Sequence, residues 1–198
     1  IHREDGTPYG MFCCLSRSAK PDLTARDLEV MRAFAGLSAD QVNEKIAVRI
    51  AHETTLGSIA AMIAEREFDI VFQPIMDAAA RRPKGFEALC RFRPQPYRTP
   101  DLWFGEAARV GLQADLEICV IEAALRALRD LPPQAYLSVN ASPATVASGR
   151  LETVFAPWPA ERIVLADGRP GTYVVRPPSG GGELTVTLLR RDGSGVQR

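Results

Sequence analysis

The sequence lacks several features that would place it in a large class of proteins at once. Lys+Arg and Asp+Glu both number 24 in its 198 residues, so it has no net basic charge of the kind that attracts nucleic acid. Its longest apolar runs fall well short of the roughly 20 residues that a transmembrane helix needs. The N-terminus has no signal-peptide pattern. We therefore expect a cytoplasmic protein with no nucleic-acid partner and no membrane segment in this chain.

Cysteine and histidine are also scarce. The four cysteines, Cys13, Cys14, Cys90 and Cys119, show no CxxC spacing, and both histidines are isolated. This pattern favours neither a zinc site nor a disulfide framework. We expect reduced cysteines that serve packing, with the tandem pair placing one thiol on each face of a strand. The 46% of hydrophobic residues is ordinary for a globular protein and allows a sizeable core.

The residues that are present divide the chain into three regions, which we place at 1–45, 46–165 and 166–198. In the first, PYGMFCCLS at 8–16 predicts a buried strand, and a helix is predicted from Thr24, which has the spacing of a capping box with Asp27. The third region is rich in Gly, Pro and Arg, contains no lysine, and offers at most short strands in YVV and LTVTLL. The first residue is Ile, so we expect the chain to begin inside a longer protein.

The middle region alternates helices and strands. A helical segment after residue 46 precedes two strands, FDIVFQPIMD and FEALCRF. Two helices separated near Gly111 follow, then the strand AYLSVNASP, a helix within 144–155 and a short strand in ERIVL. This alternation predicts an α/β fold with a largely parallel sheet or barrel.

Polar side chains interrupt three of these strands. Gln73 lies in the first, Glu87 and Arg91 surround Leu89 in the second, and Asn140 lies near the end of the third. Glu87 and Asn140 offer oxygen ligands for Mg²⁺ or Mn²⁺, and Arg91 offers a guanidinium for a phosphate. The alternatives are a structural Glu87–Arg91 ion pair, a turn-forming Asn140 and a solvated Gln73. Residue types and spacing alone leave these alternatives open.

At this point a family resemblance becomes specific. Glu87-Ala88-Leu89, completed by Arg91, resembles the EALxR motif of EAL-domain cyclic-di-GMP phosphodiesterases. FDIVFQPIMD resembles the first strand of that family with its Gln-Pro pair, and TPDLWFGEAARVGLQADLE resembles the helical segment after the motif. YLSVNASP resembles the strand that carries the family's asparagine. Residues 68–165 thus resemble the N-terminal half of an EAL domain.

The resemblance implies an incomplete (β/α)₈ TIM-like barrel from a protein that hydrolyses cyclic-di-GMP to pGpG with bound Mg²⁺ or Mn²⁺. It implies that Glu87 and Asn140 are catalytic metal ligands, that Gln73 and Arg91 contact the dinucleotide, and that Leu89 lines the pocket. The acidic motifs and the lysine that the family carries after this point cannot be placed here. We therefore expect the complete parent to be an enzyme and this chain to be truncated and inactive. The alternative is a non-catalytic module that binds cyclic-di-GMP or a protein.

Two further expectations concern the ends of the chain. Residues 6–46 resemble, more weakly, the C-terminal end of a GAF sensory domain followed by a linker helix. Such a helix, together with the EAL domain, would form a homodimer, and an ordinary packing helix is the alternative. Residues 166–198 are expected to be foreign to the family, either through a reading-frame shift after ERIVL or as a divergent extension.

Overall fold

The computed structural model describes residues 1–19, 21–77 and 79–166, and the backbone of three strands at 172–176, 185–189 and 195–197. Its contacts divide the chain into two compact units, 1–54 and 55–198. The helical segments expected on either side of residue 46 are one helix, α1 (Ala25–Glu65), which continues through the unit boundary. In the part of the chain that is described, no helix is long and apolar enough to cross a membrane.

The first unit contains the N-terminal segment and the first part of α1. The predicted capping box is confirmed, because the backbone N–H and the hydroxyl of Thr24 both donate to Asp27 Oδ2, at 2.8 and 2.7 Å. The buried strand predicted at 8–16 is wrong: residues 9–16 form no strand, and Cys13 and Cys14 are both exposed. A strand requires a neighbour for its backbone hydrogen bonds. The described residues of this unit provide only an isolated bridge between His2 and Pro8.

The second unit is built on a sheet whose strands lie side by side in chain order. The first four are β1 (Phe68–Asp77), β2 (Arg82–Phe92), β3 (Tyr136–Asn140) and β4 (Ile163–Ala166). Strands β2, β3 and β4 run parallel, as expected, whereas β1 is antiparallel to β2. β1 is the exception to the largely parallel sheet predicted for residues 46–165, because only a few residues join β1 to β2 and parallel neighbours need a long crossover.

The side chain of Asp77 stabilises the short connection between β1 and β2. Asp77 Oδ1 accepts hydrogen bonds from the backbone N–H groups of Ala79 and Ala80, at 3.0 and 2.8 Å. Arg81 follows with a positive φ of 51° before β2 begins. An aspartate that bonds the backbone two and three residues onward is a common way to close a turn.

The sheet continues beyond β4 with antiparallel strands β5 (Thr172–Arg176), β6 (Thr185–Leu189) and β7 (Gly195–Gln197). Their backbone agrees with the short strands predicted from YVV and LTVTLL. The side chains of these three strands lie outside the described residues.

Within the described ranges, four α-helices follow strands β2 and β3 along the chain. They are α2 (Pro100–Arg109), α3 (Gln113–Leu125), α4 (Pro143–Ala147) and α5 (Leu151–Phe155). Gly111, with a φ of 78°, separates α2 from α3 as predicted. The single helix expected within 144–155 is divided into α4 and α5, and Gly149 between them has a φ of 71°. Glycine adopts this left-handed conformation without the steric cost that a Cβ imposes.

Packing uses one face of the parallel strands. Leu137 and Val139 of β3 and Ile163 and Leu165 of β4 are buried against α3, in a cluster that includes Ile121. A second cluster joins the end of α1 to β1, β2, α2 and α3 through Ile59, Met62, Phe68, Phe92, Trp103 and Leu116. Because side chains alternate along a strand, the other face of the strands carries the polar residues predicted as a site.

Candidate functional site

The strand register brings the predicted site residues to one face of the sheet. Gln73 lies opposite Glu87 in the β1–β2 pair, and Glu87 is level with Ser138 in the β2–β3 pair. Residues opposite each other project to the same face. Leu89 and Asn140 follow two residues later on β2 and β3, so they share this face as well. Three strands therefore contribute to one polar surface.

Glu87 and Asn140 are in direct contact. The Asn140 side-chain amide Nδ2 donates to Glu87 Oε1 at 3.1 Å, and both residues are half-buried. Asn140 is the last residue of β3, where it lies level with Ala166 of β4. In parallel α/β sheets the carboxyl ends of the strands are where ligands bind. The structure thus places the side chain of Asn140, at the carboxyl end of β3, against the carboxylate of Glu87 in β2.

The donor set fits a divalent cation only in part. Mg²⁺ prefers six oxygen ligands in octahedral geometry, and Glu87 and Asn140 provide two side chains. The Asn140 amide also turns its nitrogen toward Glu87, whereas a cation between the two residues would need the amide oxygen. Within the described ranges, no group of three or more His, Cys, Asp or Glu residues converges. The described residues therefore do not form a complete Mg²⁺ or Mn²⁺ site.

Arg91 and Gln73 are the exposed members of the predicted site. The Arg91 guanidinium Nη1 donates to the backbone carbonyl of Cys90 at 2.9 Å. Four residues of strand separate Glu87 from Arg91, about 13 Å at the usual rise. The structure therefore does not form the alternative Glu87–Arg91 ion pair, since Glu87 is hydrogen-bonded to Asn140 instead.

A cavity of about 140 Å³ lies at the end of β2, between the sheet and helices α2 and α3. Leu89, Arg91 and Asn140 line it from the strands, and Phe104 and Ile121 line it from the helices. Glu87 and Gln73 lie outside its lining. The cavity is thus a mainly apolar recess on the side of the sheet that packs against the helices, and it reaches the polar residues only at the ends of β2 and β3.

Two local features shape β2 next to the site. A Cβ atom at Gly85 would lie 2.6 Å from the Tyr136 ring, so this ring packs over Gly85 and would have to move if the residue carried a side chain. Burial also raises the pKa of the Tyr136 hydroxyl.

On the packed face, burial raises the pKa of the Cys90 thiol to about 12, which keeps that thiol protonated and unreactive.

Glu117 was not among the site residues predicted from the sequence. This acid is buried on α3, and its Oε2 accepts the backbone N–H of Ser142 at 2.7 Å, two residues after Asn140. A signal existed in the sequence, because Glu117 falls on the apolar stripe of α3, one turn before Ile121 and two before Ala124. Acids are rarely buried unless they are paired.

Comparison with protein families matches residues 57–166, more than half of the chain, to the EAL domain. Among solved structures, the chain is similar to the Xanthomonas citri FimX EAL domain in complex with c-diGMP, with a TM-score of 0.50 and 18% identity over 60% of this chain and 50% of that one. It is also similar to the PaMucR phosphodiesterase in its c-di-GMP complex, with a TM-score of 0.47 and 22% identity over 57% and 50% of the two chains. A third similar structure is an EAL domain protein from Listeria monocytogenes, with a TM-score of 0.46 and 20% identity over 53% and 45%.

The chain spans about half the length of the solved structures that it matches. The likeness to the FimX domain supports the mixed α/β fold with the β1–β4 sheet, a fold of the TIM-like barrel family. None of the curated proteins compared with the sequence matches it.

Proposed function

The chain belongs to the EAL domain family, and from this premise we propose that it is a cyclic-di-GMP signalling protein whose site lies at the Glu87–Asn140 edge of the sheet. The activity of the complete parent, on this proposal, is the hydrolysis of cyclic-di-GMP to pGpG. The chain described here binds the dinucleotide and does not hydrolyse it. The observation that carries the proposal is the contact between Glu87 and Asn140, two residues of separate family-like motifs.

The proposed roles follow from position and chemistry. Arg91 is exposed at the cavity and has a guanidinium suited to a phosphate oxygen. Leu89 lines the cavity, and Gln73 offers an amide on the same face as Glu87. Pockets that enclose a whole drug-sized ligand measure about 300 Å³ or more. The cavity of about 140 Å³ is therefore too small for the whole dinucleotide, which on this proposal lies mainly on the polar surface and contacts the cavity at Arg91 and Asn140.

We propose a bound metal ion for the complete parent because of the family resemblance. EAL domains are generally metal-dependent, and the carboxylate of Glu87 and the amide oxygen of Asn140 would be the ligands from this chain. These two side chains do not complete a Mg²⁺ or Mn²⁺ shell. Phosphodiester hydrolysis with bound cations needs carboxylates that hold them in a fixed geometry, so we propose binding without turnover for this chain.

Calorimetry with cyclic-di-GMP, with linear pGpG as the comparison ligand, tests the proposal. The Arg91→Ala variant should lose about 10- to 150-fold in affinity, the scale of a charge-assisted hydrogen bond of about 1.5–3 kcal/mol. Arg109→Ala is the matched control, because Arg109 is an exposed arginine at the end of α2, outside the cavity lining. The affinity of Arg109→Ala should equal that of the unsubstituted chain.

The outcomes separate the parts of the proposal. Folded protein that does not bind cyclic-di-GMP would contradict nucleotide binding. Conversion of cyclic-di-GMP to pGpG with Mn²⁺ would contradict the proposed lack of turnover and restore the enzyme assignment. Equal losses for the Arg91 and Arg109 variants would remove Arg91 from the site.

A second candidate is a non-catalytic protein-binding module. It is favoured by the apolar side chains that β1 exposes, namely Val71, Phe72 and Met76. In this case the chain would bind a partner protein while cyclic-di-GMP produces no heat in the same calorimeter.

The proposal extends to the rest of the chain. We propose that it works in the cytoplasm, that residues 1–45 end a GAF-like sensory region, and that α1 pairs in a homodimer. Support for pairing comes from Val30, Phe34 and Leu37, which are exposed on α1. Light scattering that gives a monomer mass at high concentration would contradict the homodimer. The coding DNA after ERIVL tests the reading-frame shift proposed for 166–198.

A further inference from the structure

A buried carboxylate lies beside the loop that follows Asn140. Glu117 on α3 is only 6% exposed. Both of its oxygens have partners: Oε2 accepts the backbone N–H of Ser142 at 2.7 Å, and Oε1 accepts the side-chain amide of Gln113 at 3.0 Å. Burying a carboxylate is costly unless hydrogen bonds replace its water. These two bonds offset the cost, and the one to Ser142 links α3 to the site.

The position of Glu117 would ordinarily favour an apolar residue. Ile121, Ala124 and Leu128 follow it on the same side of the helical segment, and all three are buried in the core cluster of the sheet. A leucine at this position would extend that cluster. The Glu117 carboxylate instead accepts a hydrogen bond from the backbone N–H of Ser142, which lies in the segment that joins β3 to α4.

Two bonds hold the backbone just after Asn140. The N–H of Ala141 donates to the carbonyl of Ala166 at 2.8 Å, which extends the β3–β4 ladder by one residue. The N–H of Ser142 then donates to Glu117. Because the first bond comes from β4 and the second from α3, they determine the direction in which the chain leaves β3. The Asn140 side chain leaves from this point and reaches Glu87 at 3.1 Å.

We infer that Glu117 is a positioning residue for the Asn140–Glu87 pair. It does not touch the nucleotide; it holds the Asn140–Ser142 backbone so that the Asn140 amide stays beside Glu87. The inference rests on the proposed function, since it gives Glu117 a part in nucleotide binding through Asn140. Loss of a residue that orients a metal-binding side chain changes metal affinity or activity by about 10- to 100-fold, and the lower end of this range is the effect on nucleotide affinity expected here.

The test compares three variants of the full chain. Glu117→Met is close in size and removes the acceptor, whereas Glu117→Gln keeps an oxygen for the Ser142 N–H. Leu125→Ala is the matched control, because Leu125 is fully buried at the other end of α3 and does not line the cavity. All three are measured at a temperature where each is folded.

Two readouts are recorded. The first is the side-chain amide NMR signal of Asn140 in the free protein, assigned by its loss in Asn140→Ala. The second is the affinity for cyclic-di-GMP by calorimetry. We expect Glu117→Met to shift the Asn140 signal and to weaken binding by about 10-fold or more. Glu117→Gln should give nearly the same values as the unsubstituted chain for both readouts, and Leu125→Ala should leave both unchanged.

An Asn140 signal that does not move in Glu117→Met would overturn the inference, as would an equal shift in Leu125→Ala. If Glu117→Met does not fold, Gln113→Ala replaces it, since it frees one oxygen of Glu117 and should move the Asn140 signal in the same direction by less. A parent chain that does not bind cyclic-di-GMP would contradict the proposed function alone. In that case the NMR readout still decides whether Glu117 positions Asn140.

Discussion

Residues 1–54 and residues 55–166 use the same kinds of side chain and bury them very differently. Among the described residues before Thr55 none is buried, and large apolar side chains such as Met11, Leu15 and Phe34 are 83%, 97% and 56% exposed. In the second region Leu116 and Leu125 are fully buried. An apolar stripe therefore predicts a helix in both regions, but it predicts burial only where other elements pack against it.

Helix α1 contains this contrast within a single element. Near its end Ile59 and Met62 are 0% and 1% exposed, because β1, β2, α2 and α3 surround them. Nearer its start Val30 is 49% exposed. The backbone is helical in both parts, so helix formation and core formation are separate outcomes of the sequence.

The largest expected difference between the regions is in thiol reactivity. Cys13 and Cys14 are exposed, whereas Cys90 and Cys119 are buried, and burial raises the pKa of the Cys90 thiol to about 12. Since a free thiol has a pKa of about 8.5–9, the Cys90 thiolate fraction at pH 7.5 should be about 1000-fold lower. Reaction with a disulfide reagent should show two fast and two very slow thiols. Four fast thiols in the native protein would contradict the contrast.

A matched pair of leucine substitutions tests the packing contrast directly. Leu125→Ala should lower the free energy of unfolding by about 2–5 kcal/mol, because it leaves a cavity in the core cluster. Leu37→Ala changes an α1 residue that is 63% exposed in the single chain and should cost about 0.5 kcal/mol or less in protein dilute enough to be monomeric. Urea denaturation followed by circular dichroism measures both. Equal costs would mean that Leu37 is covered in solution.

Glycine substitutions should give effects of opposite sign in the two regions. Gly85→Ala should destabilise by about 1–3 kcal/mol, because the new Cβ would lie 2.6 Å from the Tyr136 ring. Gly36→Ala in α1 meets nothing within 4 Å and should stabilise by about 0.5–1 kcal/mol, since alanine loses less backbone entropy in a helix. The same denaturation experiment decides the signs. A stabilising Gly85→Ala would show that Tyr136 moves aside freely.

The smallest expected effect is on the pKa of one carboxyl group in each region. A hydrogen bond from Arg93 lowers the pKa of Asp69, and the Thr7 hydroxyl does the same for Asp5. A lowered native pKa contributes stability above the unfolded pKa, and this contribution is lost as pH falls through the native value. Arg93→Ala should raise the pKa of Asp69 and leave that of Asp5 unchanged, as followed by NMR titration. High salt should likewise affect Asp69 more, since its partner is charged.

Much of the second region could be predicted from the sequence. Period-two alternation predicted strands in FDIVFQPIMD, FEALCRF and YLSVNASP, and the structure forms all three. Alternation also predicts that Phe86, Ala88, Cys90 and Phe92 share a packed face; the last three are buried, and Phe86 is half-buried against the core cluster. Local patterns of this kind are decided within a few residues, which is why they can be read from one sequence.

Other features depended on neighbours that the sequence does not identify. The direction of β1, the exposure of the N-terminal segment and the bond from Glu117 to Ser142 each depend on which elements lie side by side. The sequence by itself determined the elements, their inward faces and the residue types of the site. Only the tertiary structure decided that Glu87 meets Asn140 rather than Arg91, because contact between strands depends on register, and register is set by pairing across the whole sheet.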